Sequence, residues 1–239
     1  MRGDTAEHLG RVLRAEPGQL YELSDGERVW LARVDKVSSS KRSGSQIEFT
    51  LVEEIEEREA ALRIQLLISL VKFDRFEWCL EKATELGVTE IVVLAAARTD
   101  KPLLAAVPKR RARWEKILQE SAQQSRRLRP PTLRTALDET RSGKVHGAIR
   151  PKEAFAEASA ACKLVLSERQ DTKLMRDALS VYAEPSASLA IGPEGGWTDE
   201  ELAAARASDF VEASLGKNIL RTETAVVAAL AILGFTLGE

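Results

Sequence analysis

The chain has 239 residues, is 44% hydrophobic and carries a net charge of −2, which suffices for one large or two modest domains and excludes a global basic signature of nucleic-acid binding. Its two cysteines, Cys79 and Cys162, lie too far apart in sequence to suggest a disulfide framework and fit a reducing cytoplasm, while His8 and His146 form no ligand-spaced cluster, so no metal site is expected. No N-terminal apolar run reads as a secretion signal, and the longest apolar run, Ala225 to Leu233, is too short to span a bilayer, so no membrane partner is expected.

Met1 to about Ile55 reads as a small all-β unit. Tyr21-Glu22-Leu23 is followed by the turn signal Ser24-Asp25-Gly26. Val29 to Val37 alternates loosely and Gln46 to Val52 more cleanly, with Ser38 to Ser45 as a hairpin loop. Glu53 to Glu59 is strongly acidic and reads as a linker or solvated edge. From Ile64 the pattern changes to strand–helix alternation. Ile64 to Val71 is a near-continuous apolar run suited to a buried parallel strand. Asp74 is expected to cap a helix through Leu86, with Phe76, Cys79, Leu80 and Ala83 on its apolar face and Gly87 as its C′ residue. Glu90 to Ala95 is a second buried strand. Lys109, Arg110, Arg111 and Arg113 open the next helix, which continues to about Gln124, and Arg126, Arg127, Arg129 and Arg134 follow. Phosphate binding needs such clustering, but for the Lys109 group an exposed amphipathic helix is the favoured reading. Thr132 to Thr135 reads as a strand, whereas Asp138 to Pro151 carries no pattern that places it. Lys152 to Ala161 reads as a helix, Lys163 to Leu166 as a strand ending at Ser167-Glu168, and Thr172 to Leu179 as a helix.

Ala187 to Ile191 is a short buried strand that Gly192-Pro193 must end, because Pro193 has no N–H for a ladder. Gly195-Gly196 allows positive φ and close approach of a ligand. Thr198 with Glu201 fits a capping box, so a helix starts at once. Strand, Gly-rich turn and helix N-terminus together can cradle a ligand; an ordinary tight βα turn explains the same segment. Val211 to Leu215 is again strand-like, Gly216 breaks it, and Thr222 is expected to cap a long helix that is apolar nearly all round. Two Gly-containing turns thus end two neighbouring strands, and ligands in open α/β sheets bind outside such carboxyl ends. P-loop, dinucleotide-fingerprint and nucleophile-elbow spacings are all missing, which weakens the NTPase, dehydrogenase and hydrolase readings.

The run Gly192-Pro193-Glu194-Gly195-Gly196-Trp197-Thr198 and the run Ser214-Leu215-Gly216, Ile219-Leu220-Arg221-Thr222-Glu223-Thr224-Ala225 resemble the signature of the ribosomal RNA small subunit methyltransferase E family, part of the SPOUT superfamily of knotted methyltransferases. Lys72 to Trp78 and Lys82 to Val88 match two further family runs, and His8 to Arg14 matches the family's opening helix motif. Gln124-Ser125-Arg126-Arg127 resembles an E-Q-S-G-R element, with Arg126 replacing its Gly.

The resemblance implies an α/β fold: a PUA-like β-barrel domain over residues 1–62, then a SPOUT domain over 63–239 with a knotted parallel sheet, helices on both faces and a C-terminal trefoil knot. The family's first strand, rich in Arg and Phe, has no counterpart before Asp4, so the barrel is expected without it. The implied activity is S-adenosylmethionine-dependent methylation of a uridine N3 in 16S rRNA of the small ribosomal subunit, by a cytoplasmic homodimer. Leu166 and Ser167 would lie beside the cofactor. Ile191, Gly192, Glu194, Gly195 and Gly196 would hold its ribose and methionine parts. Ser214, Leu215 and Gly216 would meet the adenine edge, with Ile219 and Leu220 on its face. Arg221 is the candidate for stabilising a uracil anion, against an ion pair with Glu223 or Glu194, and Glu194 is the candidate base, against a capping or backbone-bonding role. Arg11, Arg14, Lys72 and Arg127 are the candidate RNA contacts. The competing readings are another SPOUT enzyme with a different base or ribose target, and a non-catalytic RNA-binding relative.

Overall fold

The computed structural model describes residues 1–25, 28–40, 44–55, 61–136, 147–169 and 171–238. Two units result, Met1–Glu59 and Ala60–Glu239.

The first unit opens with α1 (Asp4–Glu7), which widens into a π-turn over His8–Val12. Strands β1 (Leu20–Ser24), β2 (Val29–Ser40) and β3 (Gly44–Ile55) follow and pair antiparallel in the order β1-β2-β3. Ala6, Leu9, Ala15, Val34 and Ile47 form its small core. The hairpin is longer than its polar residues suggest. Ser38 pairs with Gln46 and Ser39 with Ser45, because ladder bonds use the main chain whatever the side chain. Register shifts after Leu31 and Val34 explain the loose alternation of β2. Glu53 and Glu54 belong to β3, opposite Leu31 and Trp30, as does Ile55; the rest of the expected linker, 56–59, lies outside the described residues.

The second unit is built on strands β4 (Arg63–Ser69), β5 (Val88–Leu94), β6 (Thr132–Arg134), β7 (Cys162–Leu166), β8 (Lys173–Leu174), β9 (Ser186–Ile191) and β10 (Val211–Ser214). They form one parallel sheet in the order β6-β5-β4-β9-β7-β10-β8. Successive strand residues face opposite sides, and here both sides are covered. Leu66 and Ile68 of β4 join one core with Phe76, Trp114 and Leu230, from the helices α2 (Phe73–Glu85), α3 (Lys101–Gln124) and α7 (Thr222–Leu237). Leu67 joins the other with Phe155 of α4 (Pro151–Glu157) and Leu202 of α6 (Asp199–Ala207). A short α5 (Met175–Leu179) follows β8 in the segment expected to be all helix.

Three helix starts differ from expectation. Lys72, not Asp74, is the N-cap of α2, which leaves Asp74 in the first turn, where its charge complements the helix dipole. Arg221, not Thr222, is the N-cap of α7; Thr222 is buried in the first turn, and no side chain caps that helix. Helix α3 begins at Lys101, well before the basic run, with a Pro in its first turn and Pro108 inside it. The unplaced segment beyond Asp138 is outside the described residues until Gly147, after which Ile149 bridges Leu94. Among the described residues no helix is long and apolar enough to cross a membrane.

Candidate functional site

Strands β9, β7 and β10 are neighbours, so the sheet brings their three carboxyl ends to one place. The loops that leave them enclose a cavity of about 760 Å³, within the usual range for small-molecule sites. All the residues expected at the cofactor line it, from Leu166 and Ser167 through Ile191–Gly196 to Ile219 and Leu220, and so does Arg221.

Local chemistry fixes the loop after β9. The Gly196 N–H donates to Pro193 O at 2.8 Å, and Gly196 takes a φ of +70°. Trp197 donates from Nε1 to Leu166 O at 3.0 Å, tying this loop to the end of β7. Gly192 lies flat against the indole: a Cβ there would sit 2.9 Å from Trp197 Cε2. The expected capping box is present, with Thr198 N–H donating to Glu201 Oε2 at 2.9 Å and Glu201 N–H to Thr198 Oγ1 at 3.2 Å. Glu201 also accepts from Ala97 N–H at 2.8 Å, and Arg98 donates from Nη1 to Gly195 O at 2.7 Å. The β5–α3 loop is thereby fastened to the β9 loop from the outside. After β10, Gly216 adopts a φ of +129°, and its N–H donates to Ser214 Oγ at 3.2 Å. A Cβ on Gly216 would meet nothing within 4 Å, so backbone conformation rather than space selects glycine there.

The charges sort differently from the sequence reading. Both carboxylates that competed for Arg221 are engaged by Arg75 of α2, which forms an ion pair with Glu194 and lies 3.7 Å from Glu223. Glu194 is therefore ion-paired rather than free. Arg169 pairs with Asp199. Arg221 lines the cavity with no carboxylate partner among the described residues.

The four candidate RNA contacts are divided between the units, Arg11 and Arg14 in the first and Lys72 and Arg127 in the second. Arg11 pairs with Glu7 at 2.6 Å on the exposed side of the first unit, and Arg14 is exposed with a φ of +50°. Lys72 is exposed at the start of α2 and does not line the cavity. Arg127 is different in kind: its Nη1 donates to Thr84 O at 2.8 Å and to Val88 O at 2.7 Å, and burial lowers its pKa. It braces the α2–β5 turn from within, at the end of the sheet away from the cavity. Arg126 takes a φ of +56° as α3 ends, with Arg127 N–H bonded to Ala122 O, so it adopts the conformation that the glycine of the resembled element would favour. In the basic run, Arg110 and Arg113 pair with Glu77, and Arg111 with Glu115.

Sequence reasoning missed Arg75 and Arg98 as parts of the site. Arg75 lies inside a run that was singled out, but nothing in that run names partners 119 residues away in the case of Glu194. Arg98 belongs to no motif.

Comparison with known proteins finds relatives over most of the chain. The model of a family described as an RNA methyltransferase domain matches residues 58–234. The ribosomal RNA small subunit methyltransferase E of Synechocystis sp. is 34% identical, over 94% of this chain and 68% of that protein. Its namesake from Bacillus subtilis is 29% identical, over 98% and 88%. A crystal structure of a ribosomal RNA small subunit methyltransferase E from Neisseria gonorrhoeae bound to S-adenosyl methionine superposes with a TM-score of 0.77 at 29% identity, covering 99% of this chain and 91% of that one.

Proposed function

We propose, for a chain that belongs to the RNA methyltransferase family and within it to the ribosomal RNA small subunit methyltransferase E proteins, that it methylates the N3 atom of a uridine in 16S rRNA with S-adenosylmethionine as donor. The observation that carries the reading is the cavity at three adjacent strand ends, floored by the main chain of two Gly turns.

The donor set fits such a cofactor. Main-chain groups of Gly192, Gly195 and Gly196 and of Ser214 to Gly216 offer polar edges suited to its amino-acid, ribose and adenine parts. Leu220 and Ile219, the latter 77% exposed, offer apolar cover for a ring, and Leu166 and Ser167 supply the third wall. When bound, the cofactor supplies a methyl activated by sulfonium charge, and the protein's task is alignment. Uridine N3 carries a proton at neutral pH, so negative charge develops on the uracil as that proton leaves. Arg221, without a competing carboxylate, is the group that stabilises it. Glu194, held by Arg75, is not retained as the base.

Arg11, Arg14 and Lys72 would add phosphate contacts, with the first unit acting as a PUA-like RNA-binding domain. The last strands and helix would follow the knotted path of the superfamily, in a cytoplasmic enzyme. A homodimer would cover the outer line of α7: Thr224, Ala228, Ala231 and Phe235 fall on one stripe at helical spacing, and Phe235 is 92% exposed. Incubation with labelled cofactor and unmodified small ribosomal subunits tests the function. The expected product nucleoside is 3-methyluridine. A methyl on another base or on a ribose hydroxyl would point to a different SPOUT activity, and no transfer at all to a non-catalytic relative.

A further inference from the structure

The cavity mouth has a charge sign opposite to that of the chain. Five arginine or lysine side chains line it against three carboxylates, in a protein of net charge −2. Pairing sharpens the imbalance. Arg75 is taken up by Glu194 and Glu223, and Arg169 by Asp199. Arg98, Lys217 and Arg221 are left without a carboxylate partner among the described residues, against a single remaining acid, Glu168. Arg221 is already assigned to the uracil; Arg98 has so far only its bond to Gly195 O, and Lys217 has no role.

Arg98 and Lys217 come to the cavity from different sides of the sheet. Arg98 arrives on the loop after β5, and Lys217 on the loop after β10, with β4, β9 and β7 between those strands. Both are exposed. Arg98 is also held in place. Its Nη1 is bonded to Gly195 O, its side chain runs 3.3 Å from where a Gly195 Cβ would stand, and the neighbouring Ala97 N–H is fixed by Glu201. A carbonyl partner orients the guanidinium without neutralising it. The remaining N–H groups form a pre-oriented fork of the kind that binds phosphate oxygens in pairs. Lys217 contributes a point charge from the loop after β10.

We propose that Arg98 and Lys217 clamp the RNA backbone phosphates that flank the nucleotide to be methylated. The proposal rests on the RNA-methylation reading above and adds to it the residues that seat the strand over the cavity.

The test uses the full chain as Arg98→Ala, Arg98→Lys, Lys217→Ala and the Arg98→Ala/Lys217→Ala double variant. Cofactor affinity is measured by calorimetry with S-adenosylmethionine, and methylation of unmodified small subunits is followed against substrate concentration at several salt levels. Each Ala change is expected to raise KM for the subunit roughly tenfold, as loss of one charge-assisted contact does. It should also flatten the salt dependence by about 0.7 per lost contact. Cofactor affinity should stay within about twofold in Lys217→Ala, which leaves the Gly195 loop untouched, and Arg98→Lys should recover part of the KM loss. If cofactor affinity falls while KM holds, Arg98 binds the cofactor's carboxylate and the clamp is wrong. Unchanged KM in Lys217→Ala, which breaks no hydrogen bond among the described residues, overturns the clamp without appeal to folding. Failure of the wild-type chain to methylate any RNA sinks the underlying function instead, and so separates the two.

Discussion

Replacing Arg75 by Ala probes the join between the β9 loop and α7. Arg75 is 27% exposed, Glu194 47% and Glu223 18%. The Glu194 arm, half in solvent, contributes about 0.5 kcal/mol. The Glu223 arm matters more. Glu223 Oε2 is buried with no hydrogen-bond partner among the described residues, so Arg75 supplies the compensating charge for a largely desolvated carboxylate. Stranding that carboxylate costs about 1.5–3 kcal/mol. The total of about 2–3.5 kcal/mol corresponds to a fall in Tm of roughly 4–14 °C for a unit of this size. The assay is thermal unfolding followed by tryptophan fluorescence, with Glu223→Gln added in the Arg75→Ala background. A neutral amide has less to lose by burial, so the double variant should recover more than half of the loss. A Tm for Arg75→Ala within about 1 °C of wild type, or a double variant less stable than the single one, would refute the charge-stranding argument.

Removing Arg221 should lower single-turnover methylation by about 10²–10³ with little change in cofactor affinity, and Arg221→Lys should rescue it only partly; equal losses in turnover and cofactor binding would make it a brace for the cleft. Gly192→Ala forces Trp197 off its bond to Leu166 and should cost about 1–3 kcal/mol, with weakened cofactor binding seen by calorimetry; an unshifted Tm would show that the indole yields freely. Burial pushes the thiols of Cys79 and Cys162 from 9.0 up to about 12. Both should resist thiol reagents at neutral pH until the chain unfolds. Because the folded values are raised, their contribution to stability is complete below pH 9.0 and is lost as the pH climbs towards about 12. Rapid labelling of the native protein at pH 8 would contradict this.

The elements that could be read from sequence are those whose signal is local. Ile64, Leu66 and Ile68 on one face and Leu67 on the other are buried because helices cover both faces, and the capping box of Thr198 and Glu201 is complete within one turn. The starts of α2 and α7 were misplaced because Asp74 and Thr222 are good capping residues by type. The caps themselves are Lys72 and Arg221, whose side chains bond no helix N–H. Those starts follow from where the preceding strand or loop leaves the chain, which is a tertiary matter. The cavity lining was legible because glycine carries a conformational requirement that survives in the sequence. Its charge arrangement was not: Arg75 meets Glu194 across 119 residues, and Arg98 finds Gly195 across 97. Arg127 looked like part of a basic patch, and only its distance from Thr84 O and Val88 O reveals a buried brace.

The position of β9 has a consequence for how the chain reaches its native state. It lies between β4 and β7, so two strands made earlier wait for a third to enter between them. Ser188 meets Gln65 across 123 residues, and that closure is needed before the middle of the sheet exists. Until then both flanking strands offer unpaired edges, the condition under which partly made chains associate wrongly. A chain stopped just short of Ser186 should therefore aggregate rather than persist as a smaller domain, and β9 entry should set the slow step of refolding. The loop that leaves β9 cannot take shape before its strand is seated, so the cofactor cavity would be completed late, and competence to bind would report that the sheet has closed.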